Sequence, residues 1–117
     1  MATITPVTTR VKPWADTWSV LWETIGNADT GTGVSMAMMS DRSIQVTGTW
    51  GSATVVVQGS NDNVTWLTLS DSQGNALSKT ADFVEQILEF TRYIRVSSSG
   101  GTGTDLDATL FGRGQPV

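Results

Sequence analysis

The chain contains neither cysteine nor histidine. Without cysteine there is no disulfide framework, and cysteine usage carries no information about compartment. Without histidine, the commonest general base and the commonest metal ligand are both missing. Charge is also scarce: Asp, Glu, Lys and Arg make up 15% of the residues, against about 25% in typical domains. The seven basic and eleven acidic residues leave a net charge of −4, so the electrostatic footprint of a nucleic-acid binder is absent. No apolar run approaches the ~20 residues of a membrane-spanning helix, and no basic-then-apolar leader opens the chain. Neither nucleic acid nor membrane is expected as a partner. What remains is a mildly acidic chain of 117 residues, the length of one domain with a real core.

Its most informative stretch runs from Ser43 to Leu69, SIQVTGTWGSATVVVQGSNDNVTWLTL. Ile44, Val46 and Trp50 alternate with Ser43, Gln45, Thr47 and Thr49, the period of a strand with one dry face. After a turn at Trp50-Gly51-Ser52, Ala53, Val55, Val57 and Gly59 share one face of a second strand. Gly59-Ser60-Asn61-Asp62-Asn63 is dense in residues that bond their own backbone or accept positive φ, and marks the next reversal. Thr65–Leu69 leaves that turn as a third strand. The stretch reads as a β-meander.

The flanks read in the same way. Residues 1–16 hold Pro6 and Pro13, which exclude helix and central strand and leave an extended arm. Ile4, Val7, Val11 and Trp14 are too apolar for a solvated tail, so the arm is expected to dock, on a neighbour or on the domain's own flank. Docked on a neighbour's sheet edge, it would add a strand with Ile4, Val7 and Val11 in pockets. Thr17–Ile25 is a strand with Trp18, Val20 and Trp22 on one face. Val34, Met36 and Met38 alternate in another. Residues 79–90 fit a helix through Phe83, Ile87 and Phe90, and also a strand through Val84–Glu89; the strand is favoured because every neighbour is a strand. Tyr93–Ser97, with Ile94 and Val96 inward, and Leu106–Phe111 complete the set. Seven or eight short strands at 8–12-residue spacing predict an all-β fold, an antiparallel β-sandwich of jelly-roll type. The domain spans 17–113, with a short tail over 114–117.

Candidate chemistry is thin. Asp29, Asp41, Asp62, Asp71, Asp105 and Asp107 are scattered singly over turns and strand faces, and a glycosidase pair among them would need a cleft. No Ser–His or Cys–His arrangement and no phosphate-cradling loop exists, so no catalytic residue and no cofactor are assigned and an enzyme is not expected. Asn61-Asp62-Asn63 and the pair Asp105 and Asp107 are oxygen-rich enough for a hard cation. Asn and Asp are common in turns for their own backbone bonds, however, and no metal site is assigned. Five tryptophans invite a sugar-binding reading, but Trp18, Trp22, Trp50 and Trp66 all fall within expected strands, where a core role is the default. Trp22 with Met36, Met38 and Met39 has the composition of a subunit interface or of ordinary core. Arg92 and Arg95 flank Tyr93 and read as solvated charges or as pairing groups for an acidic surface.

Two segments together carry a family likeness. VQGSNDNVTWLTLSDSQGNALS (Val57 to Ser78) and RYIRVSSSGGTGTDLDATLFGR (Arg92 to Arg113) resemble the small β-sandwich head proteins of tailed bacteriophages, the decoration or cement proteins that coat the outer capsid. The likeness spans roughly Trp18 to Arg113. It implies a jelly-roll-like fold, a homotrimer, and a non-enzymatic role on the virion's outer surface, bridging neighbouring capsomers, with the major capsid protein as partner. The family has no catalytic motif to carry over. The interface expected from the residues themselves is Ile4, Val7, Val11, Trp14, Trp22, Met36, Met38, Arg92 and Arg95. The alternative reading is a carbohydrate-binding or adhesion module of β-sandwich type, recognising surface glycans.

Overall fold

Period-2 alternation decides which side chains this chain hides. Ala53, Val55, Val57 and Gly59 are buried, while Thr54, Val56 and Gln58 between them are half-buried. A computed structural model describes residues 3–12, 17–36 and 39–114, with only the backbone at 10–12. The strands are β1 (Thr3–Ile4), β2 (Val7–Lys12), β3 (Thr17–Ile25), β4 (Thr30–Gly31), β5 (Val34–Ser35) and β6 (Asp41–Thr49), followed by β7 (Ala53–Ser60), β8 (Leu67–Thr68), β9 (Ser78–Lys79), β10 (Phe83–Gln86), β11 (Tyr93–Gly100) and β12 (Asp105–Arg113). No helix occurs among the described residues; the 79–90 segment holds strands β9 and β10.

One sheet has five strands in the order β10-β6-β12-β3-β2. The other has seven, β1-β4-β11-β7-β8, with β5 also on β11 and β9 also on β7. The runs β3-β12-β6-β10 and β4/β5-β11-β7-β8/β9 are the two interleaved layers of a jelly roll. The protein is an all-β sandwich, as expected.

The expected meander is corrected. β6 and β7 are consecutive but lie in different sheets, so the Trp50–Ser52 turn crosses the sandwich instead of closing a hairpin. Gly51 makes the crossing possible: its φ is +57°, and a Cβ there would lie 2.0 Å from the Thr102 carbonyl oxygen. Ala53 N–H donates to the Trp50 carbonyl at 2.9 Å and Thr102 N–H to that of Gly51 at 2.9 Å, which sews the two end loops together. The strand expected over Thr65–Leu69 shrinks to Leu67–Thr68, and that over Val34–Met38 is strand at Val34–Ser35, with residues 37–38 outside the described ones. Leu67–Thr68 pair with β7, to which the Leu69 N–H also donates at the Val57 carbonyl, and Val34–Ser35 pair with β11.

Residues 3–12 do not stand off as an arm. Thr3–Ile4 pairs parallel with Thr30–Gly31, and Val7–Lys12 pairs antiparallel with β3, as the edge strand of its sheet. Both lie at sheet edges, where Pro6 between them removes no ladder bond. Of the two docking modes expected, the chain uses its own flank. β12 runs to Arg113, and Gly114 is buried.

The core is filled by Trp22, Ile44 and Leu110 from the five-stranded sheet against Val57, Leu77 and Ile94 from the other. Trp22 and Ile25 are three residues apart, yet both are buried. A bulge explains this: Ala108 pairs with Trp22 and Leu106 with Ile25, so β3 carries one extra residue, with Thr24 at φ 58°. At one end of the sandwich, Arg42 is buried, donating from Nε to the Met39 carbonyl (2.8 Å) and from Nη2 to that of Met36 (2.5 Å). Its guanidinium lies 4.3 Å from the Phe90 ring centroid.

Trp22 is wholly buried and its indole N–H donates to the Thr32 carbonyl at 3.0 Å. Trp22→Ala is expected to cost about 3–5 kcal/mol of stability, read as a lowered urea midpoint with the slope preserved.

Candidate binding surfaces

Two outer faces and one cleft carry the candidate sites. On β11 the inward Ile94 and Val96 leave Tyr93, Arg95 and Ser97 facing out from the seven-stranded sheet. Register then brings Arg95 beside Gln58, and Gln58 beside Thr68. The Arg95 Nε–H donates to Gln58 Oε1 at 2.8 Å, and its guanidinium lies 4.3 Å from the Trp66 ring centroid. Trp66 in turn rests on Gly33, where a Cβ would come within 2.5 Å of the indole Cη2. The Arg92 guanidinium lies 5.2 Å from the Tyr93 ring centroid. Burial lowers the Arg95 pKa from its ordinary value.

The loop that delivers Trp66 is organised by one carboxylate. Asp62 Oδ1 accepts from Val64 N–H at 2.9 Å, Thr65 N–H at 2.8 Å and Ser60 Oγ at 2.8 Å. Ser60 Oγ also accepts from Asn63 N–H at 2.9 Å, and Asn63 has φ 61°. Asn61 Oδ1 ties this loop to β11 by accepting from Arg92 N–H at 3.0 Å. Asn61-Asp62-Asn63 therefore serves the turn. The Thr65 and Val64 amides, with the Ser60 hydroxyl, push the Asp62 pKa down to about 2.

The five-stranded sheet presents a different face. Two rows cross all five strands: Val84–Gln45–Thr109–Leu21–Val7 and Gln86–Ser43–Phe111–Ser19–Thr9. None of these side chains ionises. Val84, Val7 and Phe111 are 63%, 57% and 42% exposed. The Arg113–Asp41 ion pair, 2.6 Å apart, borders the rows. A cleft of about 420 Å³ opens where β3 and β5 come together, lined by Thr8, Trp18, Val20, Val34, Ser35, Met36 and Met39.

The expected interface residues separate. Trp22 and Met36 are core residues with at most 2% exposure, and the expectation that they meet a partner is corrected: both face inward, where the opposite sheet covers them. Ile4 is half-buried against the core, and Val7 is exposed on β2. Val11, Trp14 and Met38 lie outside the residues whose side chains are described. Arg95 faces out from the seven-stranded sheet, and Arg92 is exposed just before β11. Sequence reasoning missed the partners Gln58 and Trp66. Alternation along β7 puts Gln58 on an outer face, but only strand register places it beside Arg95. Trp66, expected inside a strand, lies just before β8, with Arg95 on its ring.

No family model matches the chain, and no curated protein matches it in sequence. Solved structures match its fold. The crystal structure of the SPBc2 prophage-derived protein YomS superposes with a TM-score of 0.72 at 12% identity, covering 90% of this chain and 99% of that one. A cupin domain from Bordetella pertussis superposes with a TM-score of 0.52 at 8% identity, covering 98% of this chain and 99% of that one. Both likenesses concern the fold: a single jelly-roll sandwich of this size.

The Asp62 carboxylate is favoured in the folded state, so the stability it lends is complete above the ordinary carboxylate pKa near 4. It is lost as pH falls through about 2. The Val64 and Thr65 amide resonances are expected to titrate with a midpoint near that lower value in an NMR pH series; a midpoint near 4 would show that the hydrogen bonds do not form.

Proposed function

We propose that the protein is a non-enzymatic structural component of a phage virion, binding the outer capsid surface as a homotrimer and bridging neighbouring capsomers. The observation that carries this reading is the fold likeness to a prophage-derived protein, which spans nearly the whole of both chains. The composition supports it too: a histidine-free chain with scattered acids suits a rigid adhesive body better than a reaction centre.

The physics of such a role is simple. A single contact between one small domain and a shell is weak, and trimerisation turns the second and third contacts into intramolecular events with a high effective concentration. A body that binds only the assembled shell stabilises it by mass action. β2 forms the outer edge of its sheet, so its free backbone groups are open to a neighbour's strand. The alternative, a glycan-binding module, asks for open aromatic platforms, and the outward Trp66 and Tyr93 rings each lie close to a guanidinium.

The test is size exclusion with light scattering, on the protein alone and mixed with undecorated capsids of the phage that encodes it. The expected outcome is a trimer that co-migrates with the capsids. A monomer that stays in its own peak would end the reading.

A further inference from the structure

Seven basic residues serve a chain of net charge −4, and most of those described are committed internally. Arg113 pairs with Asp41 and Lys79 with Glu85, while Arg42 is buried against two carbonyls. Arg92 and Arg95 differ. Among the described residues neither guanidinium has a carboxylate partner; Arg95 faces out from β11, and Arg92, exposed just before that strand, lies against the outward Tyr93.

Arg95 is held in place without being neutralised. Gln58 takes its Nε–H, and the Trp66 ring supports the plane of the guanidinium. That leaves the Nη1 and Nη2 donors as a fork, the geometry that accepts both oxygens of one carboxylate. A side chain already fixed at its stem loses little conformational entropy when a ligand arrives. Arg92 lies against Tyr93, and its own backbone is anchored to Asn61. Tryptophan, tyrosine and arginine are the residue types that dominate binding energy at protein interfaces, and here Tyr93, Arg95 and Trp66 stand at one outer sheet face with the exposed Arg92 against Tyr93.

We infer that Arg92, Tyr93, Arg95 and Trp66 form the docking face for an acidic protein surface, with the Arg95 fork taking a partner carboxylate through two hydrogen bonds. A protein is favoured over a glycan because Arg95 covers the Trp66 ring face on which a sugar would stack, and because the face is a broad sheet surface. That the acidic surface belongs to the capsid rests on the function proposed above; the carboxylate chemistry of the face does not.

The test has two arms. In the first, the ¹⁵N-labelled protein is titrated with a hexaglutamate peptide, and separately with hexaserine and with a galacturonic acid hexamer. The Arg95 Nε–Hε resonance is expected to shift saturably with hexaglutamate and to stay put with hexaserine. No shift with hexaglutamate, or a shift with the uronate alone, overturns the proposal. In the second, capsid co-sedimentation compares the wild type with the R92Q/R95Q double variant, with R95K, and with Q45E/T47E. The last lies on the opposite sheet and changes net charge by the same amount as the double variant. R92Q/R95Q is expected to weaken capsid binding by about tenfold or more, and R95K, which keeps the charge but loses the fork, to weaken it less. Q45E/T47E is expected to bind as the wild type does, and thermal melts confirm that each variant is folded.

Wild-type binding that R92Q/R95Q leaves intact overturns the docking face while the capsid reading stands. A wild type that ignores capsids, yet shifts at Arg95 with hexaglutamate, removes the capsid reading and leaves the carboxylate face standing. If R92Q/R95Q instead changes the mass of the free protein, the face lies between copies of this chain and the proposal falls.

Discussion

The indole of Trp22 ties the two sheets of this protein to each other. It projects from β3, lies fully inside the sandwich, and donates its N–H to the Thr32 carbonyl just beyond β4 in the opposite sheet. The fit is close: a side chain at Gly31 would start 2.7 Å from the indole, so only glycine lets β4 approach. An indole buried without a partner for its N–H would forfeit a hydrogen bond; the Thr32 backbone, one residue past β4, supplies one. The bulge at Glu23 and Thr24 then returns Ile25 to the inside, so β3 fills the core to its end. With no disulfide to staple the layers, such contacts carry the cohesion of the fold.

Charge is distributed with matching economy. The buried Arg42 gives its Nε–H and Nη2 donors to the backbone carbonyls of Met39 and Met36 and its cationic face to Phe90. This closes one end of the sandwich without an acid. At the opposite end, loops 50–52 and 101–104 close on each other through backbone bonds and the Thr104 hydroxyl on the Trp50 carbonyl, 2.9 Å away. The closing interactions are therefore mainly hydrogen bonds to carbonyls, which salt does not screen as it screens exposed ion pairs. Such a body holds its shape independently of ionic strength, while any contact made by Arg92 and Arg95 is salt-sensitive.

The two outer faces are unlike in kind. The five-stranded sheet offers uncharged rows of Ser, Thr, Gln and aliphatic side chains around Phe111. The seven-stranded sheet carries a compact group of cations and aromatics near one end. A face of the first kind is adhesive only over a large area, because each contact is weak; the second concentrates binding energy in a few residues. Both suit a rigid protein that acts by attachment, which is the role proposed for it.

Much of this was legible in the residues. Alternation over Thr17–Ile25, Ala53–Gly59, Tyr93–Ser97 and Leu106–Phe111 determined the strands, their inner faces and the all-β sandwich, because burial of one face leaves a period-2 trace in a single strand. The lack of histidine and cysteine, and the turn chemistry around Asp62, were equally local. Pairing was not. A turn at Trp50–Ser52 looks the same whether it closes a hairpin or crosses between sheets, so the meander was a misreading that only the global topology corrects. The short partners of β11 and the docking of residues 3–12 depend on edges contributed by distant segments. The Trp66–Arg95–Gln58 cluster likewise joins three strand regions whose register no single stretch encodes. The sequence by itself determined which side chains avoid water; tertiary structure decided which of the rest stand together, because hydrophobic burial is a property of each residue and proximity a property of the whole fold.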